Sequence, residues 1–78
     1  MVYIVLVKYE NPYDKFTTIE GVYKTLQQAQ NTLSRLQAEF EENTDSEDLE
    51  IETNTDTEYY AYTFDEYTHI EIIEKEIE

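Results

Sequence analysis

One imidazole, two serine hydroxyls, no thiol and nineteen carboxylates are the side chains of this 78-residue chain from which chemistry could be built. A general base needs a partner and a pocket. The only histidine, His69, stands in the β-branched and aromatic run Tyr67-Thr68-His69-Ile70, where an ordinary sheet residue is expected. Neither Ser34 nor Ser46 carries the glycine flanks of a nucleophile elbow. The run Asp45-Ser46-Glu47-Asp48-Leu49-Glu50 has the clustered carboxylates that a hard cation favours. Its sixth position, where an EF-hand loop requires Gly, is Glu50. A solvated loop with weak cation affinity is the better reading. A carboxylate pair that cleaves bonds needs one member in an apolar pocket with a raised pKa, and no pair stands out in that way. The chain is therefore expected to be a non-enzyme without metal or cofactor.

The placement of the carboxylates is more informative than their pairing. From Glu39 onward, sixteen acidic residues face one lysine, Lys75, a formal charge of −15. The first 38 residues carry Lys8, Lys15, Lys24 and Arg35 against Glu10, Asp14 and Glu20, a formal +1. Solubility in a small domain needs a net charge of magnitude about 2–8, and self-repulsion at −14 opposes folding. The excess is better explained by use. Such a charge repels nucleic acid and anionic membrane and favours a basic partner. Eight tyrosines accompany it: Tyr3, Tyr9, Tyr13, Tyr23, Tyr59, Tyr60, Tyr62 and Tyr67. Tyrosine is enriched at protein interfaces, and arginine stacks on it well.

The elements that must position these groups follow from pattern. Val2–Tyr9 is nearly continuous in apolar residues and reads as a strand with both faces at least partly covered, in the middle of a sheet. Asn11-Pro12-Tyr13-Asp14-Lys15 is a turn. Phe16–Tyr23 returns as the second strand of a hairpin, with Gly21 marking a bulge or a close backbone approach. Thr25 and Gln28 form a capping box, and Leu26, Ala29, Leu33, Leu36 and Phe40 draw one apolar stripe along a helix ending near Glu42. Glu39, Glu41 and Glu42 crowd its last turn against the negative end of the helix dipole, at about 0.3–1 kcal/mol each in low salt.

Leu49–Glu52 alternates like a short strand, the alternative being a continued loop. Glu58–Phe64 is a strong strand, and Asp65-Glu66 turns the chain. Tyr67–Ile77 returns as the last strand, although Ile70, Ile73 and Ile77 also fit a helical stripe, and the phase shift at Ile72-Ile73 calls for a bulge. The expected fold is α+β. One domain spans residues 1–78, ordered β-β-α-β-β-β, with an antiparallel sheet of four to five strands and one amphipathic helix on one face. The run Val2–Val7 is too short to span a bilayer, and the lack of cysteine fits a reducing, cytoplasmic setting.

Alternate residues on a strand are ~6.6–6.8 Å apart, whereas duplex DNA carries one charge per ~1.7 Å of axis. Rows such as Glu50 and Glu52, or Glu74, Glu76 and Glu78, are each about four times too sparse to imitate it. Imitation requires the helix end, the acidic loop and both rows to converge. Shortness, absence of cysteine, a Tyr-rich sheet, a single helix and an acidic half together resemble the small inhibitors encoded by phages. These include anti-CRISPR, anti-restriction and uracil-glycosylase-inhibiting proteins, several of them DNA mimics.

The resemblance implies a cytoplasmic inhibitor, in an infected or lysogenic bacterial host, that occupies the basic groove of a nucleic-acid-binding protein. A CRISPR or restriction nuclease is the expected partner class. Glu39, Glu41, Glu42, Glu47, Asp48, Glu50 and Glu52 would meet its lysines and arginines, and Tyr59 and Tyr67 would stack. The second reading is a small assembly module that homodimerises or pairs through a sheet edge.

Overall fold

The strand with apolar residues on both faces, residues 2–10, lies inside the sheet with a strand paired along each of its edges. The computed structural model describes residues 1–44, 47 and 49–76. The elements run β1 (Val2–Glu10), β2 (Lys15–Tyr23), α1 (Leu26–Glu42), β3 (Glu50–Asn54), β4 (Glu58–Tyr62) and β5 (Tyr67–Lys75). All strand pairs are antiparallel, and the sheet order is β2-β1-β5-β4-β3. The fold is α+β in the expected order, with the helix packed on one face of five strands.

β1 is an interior strand as its composition demands, but the central one is β5. The register of β1 against β5 is unbroken from Val2↔Lys75 to Glu10↔Tyr67. No bulge interrupts β5. Ile72 pairs with Val5 on the helix side and Ile73 pairs with Ile4 on the other, so the phase shift reflects a strand that uses both faces. Ile77, part of the expected strand, lies outside the described residues.

Alternation carries Val5, Tyr59, Ala61 and Ile70 to the helix side, where they meet Ala29 and Leu33. Tyr3, Val7, Tyr23, Leu36, Phe40, Leu49 and Ile72 close around this cluster. Burying a side chain such as Ile70 contributes about 1.5–3 kcal/mol. Thr25 caps α1, its Oγ1 accepting from the Gln28 backbone N–H at 3.2 Å.

The bulge falls in β2, where Val5 pairs with Gly21 and Leu6 with Ile19, leaving Glu20 as the extra residue. The Tyr23 ring lies directly over Gly21, so a Cβ there would come within 2.4 Å of the Tyr23 hydroxyl oxygen. That hydroxyl in turn accepts a 2.6 Å hydrogen bond from Thr32 Oγ1 on the helix. Gly21 thus serves both a bulge and a close approach. A second bulge lies between Ile51 and Thr53 in β3. No helix among the described residues is long and apolar enough to cross a membrane.

The radius of gyration, 12.9 Å, exceeds the ~11.5 Å of a compact domain of this length. The excess reflects a single sheet covered on one side only, in a body of 43 × 22 × 17 Å.

Candidate acidic interface

The last turn of α1 lies over the end of the sheet formed by the β1–β2 hairpin and the β4–β5 turn. Asn43 ends the helix. Its backbone N–H and its side-chain amide both donate to the Glu39 carbonyl, at 3.2 and 2.8 Å. Glu39 is also paired with Arg35 at 3.3 Å, one turn earlier. No basic residue stands in this last turn, so the carboxylates of Glu39, Glu41 and Glu42 add to the negative dipole end.

Beneath the helix end runs a groove of about 350 Å³. Its floor is apolar, from Val7, Phe16, Phe40 and Ile70, and its lining includes three carboxylates, Glu20, Glu39 and Glu66. No lysine or arginine lines it. Each carboxylate arrives by a different local device. Glu20 is the extra residue of the β2 bulge. Glu39 belongs to the helix. Glu66 closes the β4–β5 turn, where its carbonyl accepts from the Thr63 N–H at 2.7 Å. The Tyr9 hydroxyl donates to Glu66 Oε2 at 2.6 Å, and this bond to a carboxylate raises the Tyr9 pKa. An apolar floor with carboxylates above it is complementary to the stem and charged head of lysine or arginine.

The residues expected to form the interface are only partly brought together. Glu39, Glu41 and Glu42 share the helix end, and Glu47 is exposed in the following loop. Asp48, and with it much of the candidate cation loop Asp45–Glu50, lies outside the described residues. Glu50 pairs with Tyr62 on the face of the sheet away from the helix. The β3 bulge takes Glu52 out of regular alternation, so Glu50 and Glu52 do not form an even row. Glu74 pairs with Tyr3, six residues along β5 from Thr68 and hence ~20 Å from the groove. Glu78 lies outside the described residues. Among the described residues the strand rows do not converge on the helix end, and the acidic site is smaller than a whole side of the molecule.

Tyr59 corrects an expectation. It is fully buried, 0% exposed, with its ring edge-on to Phe40 at 6.4 Å, and cannot stack on a partner. Pairing of Tyr59 with Ile70 and of Tyr60 with His69 shows that Tyr60 is the outward ring of the two. Burial, and secondarily the nearby Glu41, push the Tyr59 hydroxyl pKa up to about 12. No hydrogen-bond partner for that hydroxyl occurs among the described residues. Tyr67 is 39% exposed, but it stacks on Tyr60 on the opposite face from α1.

His69 also lies on that opposite face. Its Nε2 is 2.8 Å from Glu58 Oε2, and its ring rests on Tyr60 at 5.4 Å. Glu58 and Glu71 stand directly across β4 and β5, a like-charge pairing that costs stability unless a cation is near. Ligand atoms of Glu58, His69 and Glu71 lie within 4.8 Å of one another and could hold a metal ion. The cation already at hand is Lys8, 3.5 Å from Glu71. A metal ion here would compete with that ammonium. Strand composition alone did not reveal this cluster, because it depends on the hairpin register.

Glu20, Glu66 and Tyr9 were missed in the sequence. The only local signals were Gly21 beside Glu20, marking the bulge, and the turn-forming pair Asp65-Glu66. No protein-family model, curated protein or solved structure matches this chain.

Proposed function

We propose that this protein is a non-enzymatic binding protein that inhibits a nucleic-acid-binding partner by occupying its basic groove. The observation that carries the reading is the groove under the helix end, with its apolar floor and the carboxylates of Glu20, Glu39 and Glu66, of which only Glu39 is ion-paired among the described residues, with Arg35. A lysine or arginine of the partner lays its stem on Phe16 and Phe40 and its charge among these carboxylates. Glu41, Glu42 and Glu47 supply the surrounding negative field, which speeds encounter with a basic surface. The small footprint favours competition for one or two phosphate-binding cations over imitation of a long duplex. Phage inhibitors of CRISPR or restriction nucleases are the class with which the composition agrees, and such nucleases are the partners to test first.

The experiment is displacement of labelled duplex DNA from a panel of restriction and CRISPR nucleases, followed by fluorescence anisotropy. The protein should displace DNA at low salt and lose potency as salt screens the contact. The variant carrying Glu20→Gln, Glu39→Gln and Glu66→Gln should lose tenfold or more. Equal potency of variant and parent, or displacement indifferent to salt, contradicts the reading.

A further inference from the structure

The face of the sheet away from the helix differs from the rest of the surface in both polarity and charge. Cross-strand partners share a face, so the register assigns its residues. Ile4 pairs with Val22 and Ile73, and Leu6 pairs with Ile19 and Glu71. Ile19, Val22 and Ile73 are 61, 57 and 39% exposed, because no element among the described residues covers this side. The same register places Lys8, Lys15 and Lys75 here with Glu10, Glu50, Glu58 and Glu71. Three cations against four carboxylates give a formal −1, and with −14 for the whole chain the remainder carries −13. Lys8–Glu71 at 3.5 Å and Lys15–Glu10 at 3.7 Å hold four of these charges in local pairs, and His69 Nε2 lies 2.8 Å from Glu58 Oε2.

We propose that this open face is a self-association surface and that a second copy of this chain covers it. Charge selects the occupant. A basic partner gains little from a face that is already balanced. Two copies meeting here bring together their least charged sides and direct their strongly acidic sides outward. The extent also fits. Three nine-residue strands and two five-residue strands cover roughly 600 Å² at ~3.3 Å per residue and ~4.8 Å between strands. Two such faces bury about 1,200 Å², the lower limit of stable specific interfaces. The expected product is a symmetric dimer of two sheets packed face to face, with an acidic helix end exposed on each side. It dissociates on dilution, because its area is small.

This inference is independent of the proposed inhibitory groove, and salt separates the two. Contact between an acidic groove and a basic partner weakens as salt rises. Contact between two apolar faces of like-charged molecules strengthens, because screening removes the repulsion. Sedimentation equilibrium of the whole chain at low and at high sodium chloride should give a mass rising from 9.4 kDa toward twice that value with concentration, more steeply at high salt. Ile73→Asp should weaken association tenfold or more. Ile73 belongs to the central strand, two strands in from the β2 edge, so edge-to-edge pairing would leave this variant dimeric.

If Ile73→Asp fails to fold by circular dichroism, the double variant Ile19→Asp, Val22→Asp is measured instead, since both side chains are largely solvated already. A 9.4 kDa species at every concentration and both salts overturns the proposal. So does a dimer that persists in a folded Ile73→Asp protein or, where that variant fails to fold, in the folded double variant.

Discussion

The two faces of this sheet are built from the same strands and do opposite things. On the helix side, Val5, Tyr59, Ala61 and Ile70 vanish from solvent, and carboxylates gather where the helix ends. On the open side, Ile19, Val22 and Ile73 stay exposed, and Lys8 and Lys15 pair with Glu71 and Glu10. In a chain with a single helix, only one face can be closed from within. The contrast shows that net charge describes this protein poorly: the excess of carboxylates is distributed by face, and an average over the surface would conceal it.

The largest effect that can break the comparison comes from two isoleucines three positions apart on β5. Ile70 is 1% exposed and Ile73 is 39% exposed. Ile70→Ala should cost about 2–5 kcal/mol in urea unfolding of the dilute protein. Ile73→Ala should cost about 0.5 kcal/mol or less under the same conditions. Similar losses would mean that both faces are closed.

A somewhat smaller effect tests the helix side alone. The Tyr59 hydroxyl titrates at about 12 in the folded chain, against about 10 in an unfolded one. The folded state therefore keeps its proton longer. The resulting stability is intact below pH about 10 and is lost as pH rises toward 12, with a total of about 3 kcal/mol. Tyr59→Phe should unfold less readily across that alkaline window. At neutral pH it should be unchanged or up to about 1 kcal/mol more stable, since it removes a buried hydroxyl that has no partner among the described residues. Denaturant titrations at several pH values check both statements.

The smallest effect concerns the helix end. Glu42→Lys places a cation at the negative pole of the dipole and should stabilise the fold by about 0.3–1 kcal/mol in low salt. The same change should weaken binding to a basic partner. A variant improved in both respects would remove the reason to regard the acidic turn as functional.

Much of this organisation was legible in the sequence. The α+β order, the helix with its Thr25 cap and the interior position of β1 follow from periodicity and local propensity. Gly21 announced its bulge because a lone glycine in a strand has few other uses. Side assignment was harder. Tyr59 and Tyr60 are adjacent and chemically identical, and only the pairing of β4 with β5 decides which one the helix buries. The groove joins Glu20, Glu39 and Glu66 from three elements, and the Glu58–His69–Glu71 cluster requires the hairpin register. These are long-range facts, and local pattern does not contain them. The β3 bulge, which disrupts the Glu50 and Glu52 row, had no glycine to announce it.

The division between the faces is tested most directly by amide chemical-shift mapping, with an oligo-arginine peptide titrated into the dilute, labelled protein. Shifts should concentrate at Tyr9, Glu20, Glu39 to Thr44 and Glu66, and Ile4, Leu6, Ile19 and Ile73 should stay still. Shifts centred on the open face, or spread evenly over both faces, would contradict the account.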